Sequence, residues 1–273
     1  MVTRQNLHTH TRYCDGNNTP KEMIEAALAA GLDSLGFSGH SYFPWGEAYT
    51  MTPERMEAYL KELTALRQEY AGRIAVYRGL EWDIANPVEV SGLDFRIGAV
   101  HCVPCGTAFG VVDDTPEQVI QIARDWYGGD TMRLVRAYYE WVVRLAQRGG
   151  FQIMAHFDLI TKFNEQQPLF DDQSPKYREL ALSALDGVLD TGVILEVNTG
   201  GISRGYRKTP YPVDFLLRRI RERKGRVQIS ADAHHTSGIC THFAETEDLL
   251  RSLGFTEQMR LTEQGFVPVS LGN

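Results

Sequence analysis

Seven short apolar runs punctuate the chain, at residues 2–7, 34–38, 74–80, 95–100, 151–155, 193–197 and 226–230. Several are rich in Val and Ile and read as buried strands. The segments between them carry helical spacing. Thr19-Pro20-Lys21-Glu22 is a capping box with proline in the first turn, and Gly31 marks the end of that helix. Thr52-Pro53 opens a second helix, with apolar positions Met56, Tyr59, Leu60, Leu63, Leu66 and Tyr70, and Gly72 follows it. Thr115-Pro116-Glu117-Gln118 repeats the start signal, and further helices are predicted at 131–147, 177–190, 213–223 and 244–252. Tyr138, Tyr139 and Trp141 fall in one of these and read as core. Strands alternating with helices predict an α/β fold with a parallel sheet. Its chemistry belongs on loops at the C-terminal ends of the strands, whether the sheet closes into a barrel or stays open and doubly wound.

The length, 273 residues, suits one domain spanning 1–273. A formal charge of −7 without a dense basic run argues against a nucleic-acid polymer or an anionic membrane as partner. The longest stretch without Asp, Glu, Lys or Arg, residues 97–112, is too short to span a bilayer. The N-terminus shows no apolar signal run and reaches His8 at once, so a cytoplasmic location is expected. Cys102-Val-Pro-Cys105 has C-x-x-C spacing but no second pair at zinc-finger spacing. Cys14, Cys102, Cys105 and Cys240 are therefore read as reduced cysteines.

The histidines change the picture. Six of the eight fall where a predicted strand runs out: His8, His10, His40, His101, His156 and His234. His8 and His10 are alternate residues and project to the same face. Asp15 follows in the next loop, Glu81 ends the third strand and Asp232 the seventh. One such histidine is ordinarily structural, but six at strand ends point to a metal site. Imidazole with carboxylate, without thiolate, suits Zn, Fe or Mn. Nine ligands exceed one tetrahedral ion and suffice for two or three if a carboxylate bridges, with Glu81 as the candidate bridge. Three divalent ions against three carboxylates and one hydroxide leave about two positive charges, matching a phosphate monoester dianion.

The sixth strand is followed by Thr199-Gly200-Gly201-Ile202-Ser203-Arg204-Gly205, where the glycines permit close backbone approach. Arg204 is the expected phosphate clamp, ahead of Arg207 and Lys208, and Arg12 is a second candidate. His235 is read either as pointing away or as lining the rim and, like His242, as a candidate proton donor, although His242 is read first as structural. Asp83 and Asp158 each lie two positions past a proposed ligand and are read as turn caps rather than as partners of that ligand.

These motifs are similar to the ordered motifs of the PHP superfamily, the polymerase and histidinol-phosphatase domain. His8-Thr-His10, Gly39-His40, Glu81, His101, His156 and Asp232-Ala-His234 carry the resemblance from residue 6 to about 235. Within it, residues 8–16, Gly79-Leu-Glu-Trp-Asp83 and Glu196-Val-Asn-Thr-Gly200 most resemble the histidinol-phosphatases. The resemblance implies a distorted (β/α)7 TIM-like barrel and a trinuclear centre. His8, His10, Glu81 and Asp232 would hold one ion, Glu81, His101 and His156 a second, and Asp15, His40 and His234 the third. It also implies hydrolysis of L-histidinol phosphate to L-histidinol and phosphate, in histidine biosynthesis. The expected mechanism is in-line attack by a metal-bridging hydroxide, with Glu81, Asp232, Arg204 and His235 as catalytic residues. A phosphoesterase for a nucleotide or another small ester is the alternative, and a non-catalytic metal-stabilised scaffold a third reading. Residues 102–150 are expected to shape substrate choice.

Overall fold

The computed structural model describes residues 3–43, 46, 49–86 and 90–271. Val2 of the first predicted strand lies outside them. The strands are β1 (Gln5–Asn6), β2 (Ser34–Phe37), β3 (Ala75–Arg78), β4 (Glu81–Asp83), β5 (Ile97–Ala99), β6 (Cys102–Cys105), β7 (Ala108–Val111), β8 (Ile153–Met154), β9 (Ile194–Asn198), β10 (Val227–Ser230), β11 (Glu257–Thr262) and β12 (Gly265–Ser270). The helices are α1 (Pro20–Ala29), α2 (Pro53–Glu69), α3 (Pro116–Trp126), α4 (Thr131–Arg148), α5 (Pro175–Leu189), α6 (Gly200–Ser203), α7 (Asp214–Glu222) and α8 (Phe243–Ser252).

The helix starts follow the local chemistry. Thr19 Oγ1 accepts from Glu22 N, and the Glu22 carboxylate accepts from Thr19 N, which completes the capping box. Thr52, Thr115 and Ser174 each cap a helix whose first turn holds proline.

Two parallel sheets form the centre, one ordered β1-β2-β3 and the other β10-β9-β8-β5-β4. Isolated parallel bridges link them, Thr9 to Ala233 and His40 to Glu81. The third predicted strand is the point of departure from expectation. It pairs with β2 through Arg78, passes Gly79-Leu80, and resumes at Glu81 as β4 against β5. Glu81 therefore sits where one run of chain changes partners, at the start of β4 rather than at the end of a strand, and the parallel pairing divides there into two sheets rather than one continuous seven-stranded ladder.

Two antiparallel hairpins depart from the expected alternation of strands and helices. The first, β6–β7, occupies residues 102–111. The second, β11–β12, covers the starting ends of the parallel strands, where Met259 and Leu261 join Leu7, Tyr77, Phe95, Ile97, Ile153 and Ile194 in one apolar cluster. The larger cluster lies between sheets and helices and includes buried Tyr138 and Tyr139, with Trp141 packed against it. Among the described residues no helix is long and apolar enough to cross a membrane.

Candidate metal centre

The ends of the parallel strands bring the sequence-predicted donors together. Past β1, His10 N donates to Ala233 O (2.9 Å) and Ala233 N to His8 O (3.0 Å), so the H-x-H segment runs beside the Asp232–His234 segment. Asn6 Oδ1 accepts from His8 N and Ala231 N, both at 3.1 Å, and fixes the two segments to each other. Asp232 takes a left-handed backbone, φ 50°, a conformation uncommon for a non-glycine residue and one that marks functional sites. Gly200 makes room for it: a Cβ there would lie 2.9 Å from both Asp232 Cβ and an Arg204 nitrogen. The space expected for a phosphate at this glycine is thus taken up by the site's own residues.

Glu81 is the hub. Its Oε2 lies 3.3 Å from His8 Nε2, 3.5 Å from His10 Nε2 and 2.9 Å from His40 Nδ1. Its Oε1 lies 3.3 Å from His101 Nε2 and 3.0 Å from His156 Nε2. Asp232 Oδ1 stands 3.2 Å from His10 Nε2, 3.6 Å from His8 Nε2 and 3.5 Å from His234 Nδ1. Asp15 reaches His10 Nδ1 (3.2 Å), His234 Nε2 (3.0 Å) and His40 Nε2 (3.6 Å). Three sets of donor atoms lie within 4.8 Å of one another: His8, His10 and Asp232; His40, Glu81 and His101; and His10, Asp15, His40 and His234.

The hydrogen-bond geometry tests whether this set fits a cation. His8 Nε2, His10 Nε2 and Glu81 Oε2 are buried and make no hydrogen bond among the described residues, although each nitrogen stands within 3.5 Å of that oxygen. Buried polar atoms are rarely left unpaired, and lone-pair atoms that converge without an aligned proton fit an ion between them. The electrostatics agree. Burial opposes charge on Glu81, but His8, His40 and His101 outweigh it and hold the carboxyl well below its usual range. Asp15 and Asp232 are held low too, against burial, by His40 and His234 around the first and by Arg204 and His8 around the second. Burial pulls His8 down, yet Glu196, Asp232 and Glu81 raise it well above 6.5. His40 is pushed up to about 10 by Glu81 and Asp15 against the same burial. Burial, with His234 and His40, lowers His10. Protons thus hold this cluster together where divalent cations would hold it instead.

A buried support layer orients the rings. Glu196 Oε1 accepts from His8 Nδ1 (2.6 Å) and from the Ser230 hydroxyl, while Oε2 accepts from His156 N (2.8 Å) and Asn198 Nδ2 (2.9 Å). With Nδ1 engaged, His8 Nε2 faces the cluster and carries the lone pair once the ring is neutral. Sequence reasoning missed this role of Glu196; the available signal was a carboxylate inside the apolar strand Ile194–Asn198, where it needs partners. Asp83 caps Ala85 N (2.9 Å) as expected, but its other oxygen lies 3.3 Å from His101 Nδ1 and accepts from His101 N (3.1 Å), so it also supports a ring. Asp158 makes no side-chain cap of the turn it precedes; buried, it lies 3.6 Å from Arg207 and accepts from Val213 N (3.2 Å).

The cationic candidates separate. Arg204 donates to Asp232 Oδ2 (2.9 Å) and Asp232 O (2.7 Å), stands 3.2 Å from His234 Nδ1 and remains partly exposed at the cluster's edge. Arg207 is buried on Asp158, with its guanidinium 4.2 Å from the centre of the Tyr211 ring. Lys208 N donates to Glu165 (2.9 Å). Arg12 is exposed and donates to Asn17 O (2.8 Å). His235 is exposed with Nδ1 3.3 Å from Ser237 Oγ, and His242 lies 3.8 Å from Glu245. The cysteines are free; Cys102 Sγ lies 3.6 Å from Asp83 Oδ1.

Known proteins share this arrangement of sequence and fold. The chain is 35% identical over 258 residues to "Probable histidinol-phosphatase" of Deinococcus radiodurans, covering 90% of this chain and 92% of that one. It is 25% identical to "Histidinol-phosphatase" of Bacillus subtilis, over 87% of this chain and 96% of that one. The crystal structure of histidinol phosphate phosphatase from Lactococcus lactis, complexed with zinc, L-histidinol and phosphate, superimposes with a TM-score of 0.68 at 17% identity, over 97% of this chain and 98% of that one, a likeness of fold. The PHP domain model matches residues 6–200, a span that holds seven of the nine clustered donors. The chain belongs to the PHP domain family.

Proposed function

We propose that this chain is a metal-dependent phosphomonoesterase that hydrolyses L-histidinol phosphate to L-histidinol and phosphate. One observation carries the chemistry: Glu81 stands against five imidazoles, with its Oε2 and two of the facing nitrogens buried and unpaired. The identity of the alcohol rests on the relatives, which are histidinol-phosphatases over nearly their whole length.

In this reading the whole chain is one catalytic unit, its two linked parallel sheets make a distorted seven-stranded barrel, and its setting is cytoplasmic. His8, His10, Asp15, His40, Glu81, His101, His156, Asp232 and His234 hold two or three divalent transition-metal ions, zinc, manganese or iron. Those ions supply Lewis acidity for the phosphoryl oxygens and acidify a water molecule near neutral pH. The two Glu81 oxygens face different histidines, so this carboxylate would help to hold more than one ion. Arg204 keeps Asp232 in its left-handed conformation and binds the phosphoryl group, since planar guanidinium donors match phosphate oxygens. Glu196 and Asp83 keep the His8 and His101 rings in the tautomers that ligation needs. Displacement is in line, without a covalent phosphoenzyme.

The test is phosphate release from L-histidinol phosphate, beside a nucleotide panel, by protein whose metals have been quantified. The reading expects at least two ions per chain and histidinol phosphate as the best substrate. A nucleotide turned over faster would replace the substrate, and fewer than two ions with no turnover would remove the function.

A further inference from the structure

A cavity of about 430 Å³ opens beside the cluster. Asp15, His40 and His101 line it, and so do Tyr49, Asp113, Lys162 and Tyr206, which have no part in the chemistry described above. Lys162 Nζ lies 3.4 Å from Asp113 Oδ2, donates to Asp113 O, and stands 4.8 Å from the centre of the Tyr206 ring. Asp113 Oδ1 takes no hydrogen bond among the described residues, so one carboxylate oxygen is fixed and the other is left over. Burial opposes its charge, but Lys162, with His101, His156 and His40, holds the carboxyl below its usual range. Among the described residues the Tyr49 hydroxyl is buried and unpaired, and its ring packs edge-on 5.1 Å from His40. The cavity thus holds two unused oxygen acceptors beside His40 and His101. With a phosphate at the ligands, an acceptor pair in the same cavity calls for a donor on the rest of the ester, and a cationic donor matches a carboxylate best.

We propose that Asp113, with Tyr49 beside it, binds a protonated amine on the alcohol portion of the substrate, making the site selective for phosphate esters of amino alcohols over esters lacking the amine. This rests on the reading of the cluster as a phosphate-ester site, and it assigns specificity to the turn after β7. Lys162 holds the Asp113 carboxylate in place while leaving Oδ1 available.

Calorimetric binding tests it without turnover. Metal-loaded protein is titrated with the non-hydrolysable phosphonate analogue of L-histidinol phosphate and with the same compound lacking the amine. A charge-assisted hydrogen bond leads us to expect about a tenfold or greater preference for the amine-bearing compound. Asp113→Asn should lose that preference, Asp113→Glu should retain part of it, and Tyr49→Phe should reduce it about threefold. Melting curves verify that each variant is folded, and Tyr49→Phe, which removes one oxygen, serves if Asp113→Asn is not. No preference in the wild type, or a preference undiminished in Asp113→Asn or, failing that variant, in Tyr49→Phe, overturns the inference. Phosphate release from L-histidinol phosphate is scored separately, so a wrong substrate and a wrong subsite give different results.

Discussion

The two ends of the parallel strands solve opposite problems. At their starting ends the β11–β12 hairpin pairs Gln5 and Gln258 with backbone groups, although the Gln228 side chain nearby stays without a hydrogen bond among the described residues: Gln5 Nε2 donates to Leu261 O and Leu261 N to Gln5 Oε1, both at 2.9 Å, while Ile229 N donates to Gln258 Oε1 (3.1 Å). Met259 and Leu261 complete the apolar packing there. At the finishing ends, fully buried His8 and His10 and nearly buried Glu81 keep lone-pair atoms unpaired. A protein that satisfies Gln5 so completely has the means to satisfy Glu81. The contrast marks one end as built for stability and the other as built for a ligand, whose charge completes the pairing.

Glu81→Ala attacks the ligand end at its hub and carries the largest expected effect. Phosphate release should fall about a thousandfold or more, with loss of bound metal, because in the proposed reading two ion positions would share this carboxylate. The melting temperature of the chelated variant should stay near that of the chelated wild type. Retention of more than about a tenth of the activity at full metal content would refute the bridging role.

The opposite end answers to a different measurement. Leu261→Ala removes a buried side chain from the hairpin and should cost about 2–4 kcal/mol in denaturant unfolding. Metal content and the activity of the folded protein should hardly change. A large loss of metal affinity in this variant would mean that the two ends are coupled.

The smallest effect is in pH. In metal-free protein His8, His40 and His101 have raised pKa values, so their stabilising contribution is full below the ordinary histidine value of 6.5 and is lost as pH rises, for His40 through about 10. The low carboxyls Asp15, Glu81 and Asp232 add stability above their ordinary values, lost as pH falls toward strong acid. His10, whose pKa is lowered, opposes the other rings. Chelated protein should therefore melt at its highest temperature in mild acid and lose several degrees between about pH 6.5 and 10. Metal-loaded protein, with its rings already deprotonated by ligation, should lose less. Equal slopes in scanning calorimetry of the two forms would show that metals and protons do not compete for these rings.

Much of the site was legible in the sequence because strand ends are local. An apolar run followed by histidine needs no partner strand to be seen, and parallel alternation puts such ends on one rim. The H-x-H at residues 8–10 and Asp232-Ala-His234 were read this way, and the backbone pairing of Thr9 with Ala233 brings them side by side. The hairpins were less legible. Cys102–Cys105 and Gly265–Ser270 contain proline and lack an unbroken apolar run, so their pairing depends on what they pack against. Asp83 read correctly as a cap from its neighbours, but its second contact, to the His101 ring, crosses from β4 to the end of β5.

The sequence by itself determined the longer helices and the parallel strand segments, the set of candidate donors and their order along the chain, because periodicity and residue chemistry are carried by near neighbours. Only the tertiary structure decided that the third strand breaks at Gly79-Leu80 and delivers Glu81 into the centre of the cluster. It also separated Arg204 from Arg207, three residues apart, by giving one the exposed edge of Asp232 and the other the buried carboxylate of Asp158. Both decisions turn on which carboxylate a distant segment brings near, a long-range packing outcome that no local pattern encodes.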